Sequence, residues 1–163
     1  MFTRPRTSAS FKTPTLKPSV AELNKAFPAD SRKVFEQSDN FILYSIEPRQ
    51  LSPLQKQANT FQGYPIIRKI EITDHKTRAD LVAHFYSGMA DQIALGYASG
   101  CFNPHHAIRA TKGQKTVDLV ICFLCSNVRV HYGELNSHTG VTREPEGFYD
   151  AVLREAGVPR SQD

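Results

Sequence analysis

Three cysteines and two adjacent histidines fall within one short part of the chain, as CFNPHH at residues 101–106 and ICFLC at residues 121–125. Zinc prefers four tetrahedral ligands drawn from thiolates and imidazoles, and a Cys-x-x-Cys supplies two of them from one turn. Cys101, His106, Cys122 and Cys125 stand in a C-x4-H-x15-C-x2-C order, which makes them candidate ligands of a structural zinc. Pro104 stiffens the first segment, and a ligating imidazole needs an acceptor on its other nitrogen, for which Asp118 is a candidate. Three thiolates and one imidazole close the shell, leaving no position for water or substrate.

Strand geometry resists this reading. Side chains alternate along an extended strand, so Cys122 and Cys125, three apart, point to opposite faces. Both reach one ion only if the strand ends or bulges near Phe123, and Ser126 and Asn127 are turn formers just beyond. Without such a break, Cys122 shares a face with Val120 and Leu124, and Cys125 with Ile121 and Phe123. Both then fill space as small hydrophobes, as buried cysteine commonly does. Redox chemistry is a third reading. A reactive Cys-x-x-Cys normally sits at a helix N-terminus, where the dipole lowers the thiol pKa, whereas an apolar strand raises it. Core cysteines, a zinc site and a redox pair therefore stay open together.

Other constellations are weaker. A Cys-His nucleophile pair, Cys101 with His106 or His131, lacks a visible orienting partner. A zinc deaminase pairs His-x-Glu with Pro-Cys-x-x-Cys, but here Cys122 follows Ile121. Arg109 and Asp118 flank a proposed turn and can face each other as a cross-strand pair. An Asp inside VDLVI is expensive to bury alone, so it needs Arg109, a histidine or a backbone amide. His84 reads as a packed histidine, His75 and His138 as surface residues. Tyr44, Tyr86 and Tyr132 form no stacking platform for single-stranded nucleic acid.

The elements that must position these residues follow from periodicity and caps. SVAE at Ser19 is a capping box, opening a short helix that Pro28 ends. Asp30 is a candidate cap for a second helix, to about Gln37. FILYSIEP and YPIIRKIEIT read as strands, joined by a polar connection over residues 49–60. Asp74 caps a long helix with Val82, Phe85, Met89 and Ile93 as its stripe and Gly96 at its end, while Gly88 inside it allows close approach to a sheet. HAIRAT and KTVDLVICF form a hairpin, NVRVHY a further half-buried strand, and ELNSHTGVT a polar hairpin or loop. Thr142 is the candidate cap of a last helix that Gly157 closes. The expectation is an α+β fold, a single domain with a roughly five-stranded antiparallel or mixed sheet and helices packed on one face.

The stretch from Phe35 to the final helix also carries a resemblance. FILYSIEP, FQGYP, CFNPHHAIRA with KTVDLVICFLC, and FYDAVLREAG resemble a family of uncharacterised bacterial proteins with a Cys-Phe-x-Pro-x-His segment and a strand ending Ile-Cys-Phe-x-Cys. The resemblance covers roughly residues 30–158 and implies a domain extent but no activity. It marks Cys101, Pro104, His106, Arg109, Asp118, Cys122 and Cys125. Where the family pattern has a basic residue, this chain has His105.

The 163 residues suffice for one domain with a real core, and 40% apolar with 22% charged residues is ordinary for a globular chain. No stretch approaches the roughly 18 apolar residues of a membrane span, and none near Met1 reads as a secretory signal. The net charge of +4 resides in Arg4, Arg6, Lys12 and Lys17; the remaining basic and acidic residues balance. A folded part without excess positive charge argues against nucleic acid as its partner. Residues 1–18 read as a disordered basic tail, 19–158 as the domain and 159–163 as a short C-terminal tail. Cysteines without a signal fit a reducing cytoplasm, where clustered thiols suggest metal or redox chemistry before a structural disulfide. The functional expectation is a small non-catalytic interaction or accessory domain whose Cys/His cluster binds structural zinc. The alternatives are an enzyme using a Cys101/His106 site, or an inhibitor- or immunity-type binder of another bacterial protein. The oligomeric state is not legible.

Overall fold

The computed structural model describes residues 11–55, 59–97 and 99–162. Within them lie four α-helices: α1 (Val20–Ala26), α2 (Ala29–Glu36), α3 (His75–Leu95) and α4 (Glu146–Glu155). The strands are β1 (Asn40–Ile46), β2 (Thr60–Phe61), β3 (Tyr64–Glu71), β4 (His106–Lys112), β5 (Lys115–Cys122), β6 (Asn127–Tyr132) and β7 (Leu135–Thr139). They form one antiparallel sheet in the order β2-β3-β1-β4-β5-β6-β7. The α+β class and single domain hold; the count of about five strands is corrected to seven.

The two additional strands are those without a hydrophobic signature. β2 is two residues long and pairs with β3 across Gln62 and Gly63, both at positive φ. It begins at the last residue of the polar connection over 49–60, which also holds a 3-10 turn at Pro53–Gln55; residues 56–58 of that connection lie outside the described residues. β7 is the polar LNSHT, held to β6 by its backbone ladder and to the chain end of α1 by Ser137, which donates to Ala26 O at 2.9 Å.

One face of the sheet builds the main core. Leu43, Ile108, Leu119 and Val130 stand side by side on β1, β4, β5 and β6. Against them pack Phe27, Phe35, Phe85, Met89, Phe148 and Val152 from the helices and their ends. Burying each of these side chains stabilises by about 1.5–3 kcal/mol. The opposite face carries the neighbouring row, Tyr44, Ala107 and Val120, covered by Phe61 and Tyr64. Arg129 on β6 donates to the Tyr64 hydroxyl on β3 at 3.3 Å. In a flat sheet those strands would lie about 19 Å apart, at ~4.8 Å per step. The sheet is therefore curled.

Caps and glycines act mostly where expected. Ser19 and Glu22 close the capping box, Asp74 accepts the Thr77 amide at 2.9 Å, and Gly96 is left-handed at φ 74°. Three expectations are corrected. Asp30 makes no cap bond; α2 follows Pro28, and the Asp30 carboxylate instead takes Lys115 at 2.8 Å. Thr142 does not cap α4, which starts after Pro145, and its amide donates to Gly88 O at 2.9 Å. Gly88 meets that same loop rather than the sheet: a Cβ there would lie 2.6 Å from Pro145 Cγ and 2.8 Å from Val141 Cγ2. Residues 11–18 have no regular structure, yet Phe11 lies edge-on to Phe148 and Thr13 donates to Asp80 at 2.8 Å. Arg4 and Arg6 lie outside the described residues.

Candidate functional site

β5 stops at Cys122, and β6 starts at Asn127. The intervening residues turn, with Ser126 donating to Phe123 O at 3.2 Å and held at φ 54°. This break removes the alternation that would separate the two sulfurs, and Cys122 and Cys125 are joined as a disulfide. Both are buried. The Cys125 amide donates to Cys122 Sγ at 3.0 Å, and the Asn103 amide donates to Cys125 Sγ at 3.2 Å. The CFNPHH segment therefore folds back onto the Cys-x-x-Cys turn, through its third residue.

The remaining members of the expected ligand set point elsewhere. Cys101 is a free, exposed cysteine whose sulfur lies 3.0 Å from Ser99 Oγ. His106 is the first residue of β4 and only 1% exposed. Its Nε2 donates to Asp150 Oδ1 on α4 at 2.7 Å, and its ring meets Phe123 and Tyr149 edge-on. The acceptor on this imidazole is thus Asp150 and not Asp118. Among the described residues, no group of three or more His, Cys, Asp or Glu is placed to hold a metal ion.

His105 lies one residue before β4 and is likewise buried. Ser161 Oγ gives its one proton to Ile46 O at 2.7 Å, so His105 Nδ1 is the donor in the short contact between the ring and that hydroxyl. Ser45 adds a bond to Pro159 O at 2.6 Å. The two histidines thus tie the start of β4 to the last helix and to the segment that follows it.

Arg109 and Asp118 stand directly opposite each other on β4 and β5. The guanidinium binds the carboxylate through two parallel bonds of 2.8 and 2.7 Å, and these bonds hold the Arg109 pKa above its ordinary value. Gln62, on the β2–β3 turn, donates to Asp118 Oδ2 at 2.8 Å, and Phe61 lies under the guanidinium at 5.1 Å. With three donors on it, the buried carboxylate is satisfied. This pair joins the short β2–β3 unit to the sheet.

Arg129 and Phe102 form the clearest feature that sequence reasoning missed: the guanidinium carbon is 3.9 Å from the ring centroid. Arg129 belongs to an alternating strand and Phe102 to the opening motif, but their meeting depends on the curl. Beside Arg129 on the same face run His138, His131 and Asn136, the last two joined at 2.6 Å. Asp150 was missed as well. Burial pushes its carboxyl pKa up, but the His106 hydrogen bond and the charges of His106, Arg160 and Arg154 outweigh burial and hold it below the ordinary value.

The arrangement has two chemical capacities. One is a sulfur pair at a strand end with amide donors on both sulfurs; the other is a polar, aromatic outer face on a curled sheet. No helix among the described residues is long and apolar enough to cross a membrane. Compared with known protein families, with curated proteins and with solved structures, the chain has no match.

Proposed function

We propose that the protein is a small non-catalytic interaction or accessory domain whose Cys122-x-x-Cys125 turn, when reduced, takes a structural zinc. The observation that carries this reading is the Asn103 amide on Cys125 Sγ, which draws the CFNPHH segment to the sulfur pair. Backbone amides already donate to both sulfurs, from Cys125 to Cys122 Sγ and from Asn103 to Cys125 Sγ. Cys101 and His106 complete the candidate set only through a rearrangement of the CFNPHH segment on reduction, since Cys101 lies against Ser99 and His106 against Asp150. With Nε2 committed to Asp150, Nδ1 is the ring nitrogen left to a metal, and a carboxylate on the far nitrogen raises ligand basicity. A reducing cytoplasm is the compartment that would keep the pair open.

The partner in this reading is another protein, met by the outer face around Arg129 and His138; an inhibitor- or immunity-type binder is one form of it. The enzyme reading is disfavoured by geometry. A nucleophile pair needs hydrogen-bond reach, but Cys101 is exposed against Ser99, while His106 is buried against Asp150. The test is metal analysis of protein purified under reducing conditions without chelator. Near-stoichiometric zinc is expected; a metal-free, folded, fully reduced chain would reject the zinc proposal. For the interaction proposal, purification from the native host should yield a stable complex, and isolation without any partner would count against it.

A further inference from the structure

A cleft of about 560 Å³ opens where α4 ends, lined by Arg68, Arg154 and Arg160 together with Asp150, Leu153 and the segment Gly157–Pro159. Its three guanidiniums come from three different elements. Arg68 lies on β3 opposite Ser45, Arg154 on the last turn of α4, and Arg160 on the segment beyond it. That segment is fixed as the cleft floor, since Ser45 binds Pro159 O and Ser161 binds Ile46 O.

The charges in the cleft do not cancel. Asp150 is its single carboxylate, and Oδ1 already takes His106 at 2.7 Å and faces Arg160 Nε at 3.7 Å. Arg160 is held from outside the cleft by the buried Glu146, at 2.9 Å. Among the described residues, Arg68 bonds a backbone carbonyl, Gly157 O at 3.4 Å, and neither Arg68 nor Arg154 forms an ion pair. The C-terminus of α4 presents a negative end here, but it is worth about half a charge. With Arg160 committed to carboxylates, the guanidiniums of Arg68 and Arg154 remain, and these two outweigh it.

We infer that this cleft binds the phosphate group of a small molecule. A phosphate monoester carries about −1.5 to −2 charges and three acceptor oxygens, which suits guanidiniums converging from several directions. A cleft of this volume lies in the size range of small-molecule sites, roughly 300–1,000 Å³, so it has room for the body that bears the phosphate. The sulfur turn takes no part in this, and the zinc proposal can fail without affecting it.

The experiment is titration of the full chain with inorganic phosphate, followed by NMR or calorimetry at constant ionic strength, with sodium acetate as the comparison. Phosphate should bind saturably, and acetate at least about tenfold more weakly, as expected when charge and oxygen count both matter. Arg68→Gln with Arg154→Gln should weaken phosphate by about tenfold or more. Lys25→Gln, on the exposed side of α1 away from the cleft, should leave binding unchanged. Both arginines of the double variant are exposed, so the fold should survive; an unchanged unfolding midpoint checks this. No saturable phosphate binding, equal binding of acetate, or wild-type affinity in the double variant would overturn the assignment.

Discussion

Asp118 is almost wholly buried, while 41% of the Arg109 side chain reaches solvent, so the two ends of this pair are not equivalent. Removing the arginine leaves a carboxylate in a dry place with only Gln62 beside it; removing the carboxylate leaves a guanidinium that water can reach. Arg109→Gln should therefore cost about 3 kcal/mol or more, and Asp118→Asn about 1–2 kcal/mol, in urea unfolding. Equal costs would contradict this account. His84 gives a prediction in pH. It is buried, stacked on Phe148 at 4.5 Å and edge-on to Phe11. Burial lowers its pKa below the ordinary histidine value, against the opposing pull of Glu144 and Asp80. The unfolded chain then binds the proton more readily. Stability should be full above about pH 6.5 and fall as pH drops from there toward the depressed folded value. Thermal midpoints between pH 7.5 and 5 should show a decline that His84→Phe flattens. Much at this scale was legible. Burying an Asp in VDLVI demands a partner, and hairpin spacing identified Arg109. The acceptor for His106 was not legible, because Asp150 lies far along the chain and reaches it only when α4 packs on the sheet.

Elements were readable wherever local chemistry decides them. The capping box at Ser19, the Asp74 cap and the left-handed Gly96 act within a few residues of where they stand. β1, β3, β4, β5 and β6 carry β-branched or aromatic runs. β2 and β7 do not, and they exist because a turn and a neighbouring backbone ladder hold them. A signal of that kind belongs to the partner strand. Gly88 shows the same limit from the helix side. Its presence announced a close approach, but nothing local said to what; it proved to be the β7–α4 loop at Pro145 and Val141. Gly88→Ala should gain up to about 1 kcal/mol in helix propensity. It should lose more to overpacking, about 1–3 kcal/mol, and to strain on the Thr142 amide bond to Gly88 O. Net destabilisation is expected in chemical denaturation; a stabilised variant would show that the loop yields freely.

On the scale of the whole molecule, curl and closure bring the distant parts together. The curl lets β3 and β6 touch and places Arg129 over Phe102, and the segment beyond α4 reaches back to β1 and His105. The sulfur turn follows the same logic. Spacing showed that Cys122 and Cys125 could meet only where the strand broke, and the break is there; which chain segment would face them depended on the path of residues 99–106. The central claim is that this joined unit is a latent zinc site. Its most direct test is the zinc content and unfolding midpoint of the fully reduced chain, compared with and without a chelator and beside Cys125→Ser. The account predicts near-stoichiometric zinc and a midpoint that falls on chelation in the wild type, with neither in the variant. A reduced wild-type chain that takes up no zinc and unfolds at the same midpoint under both conditions would contradict it.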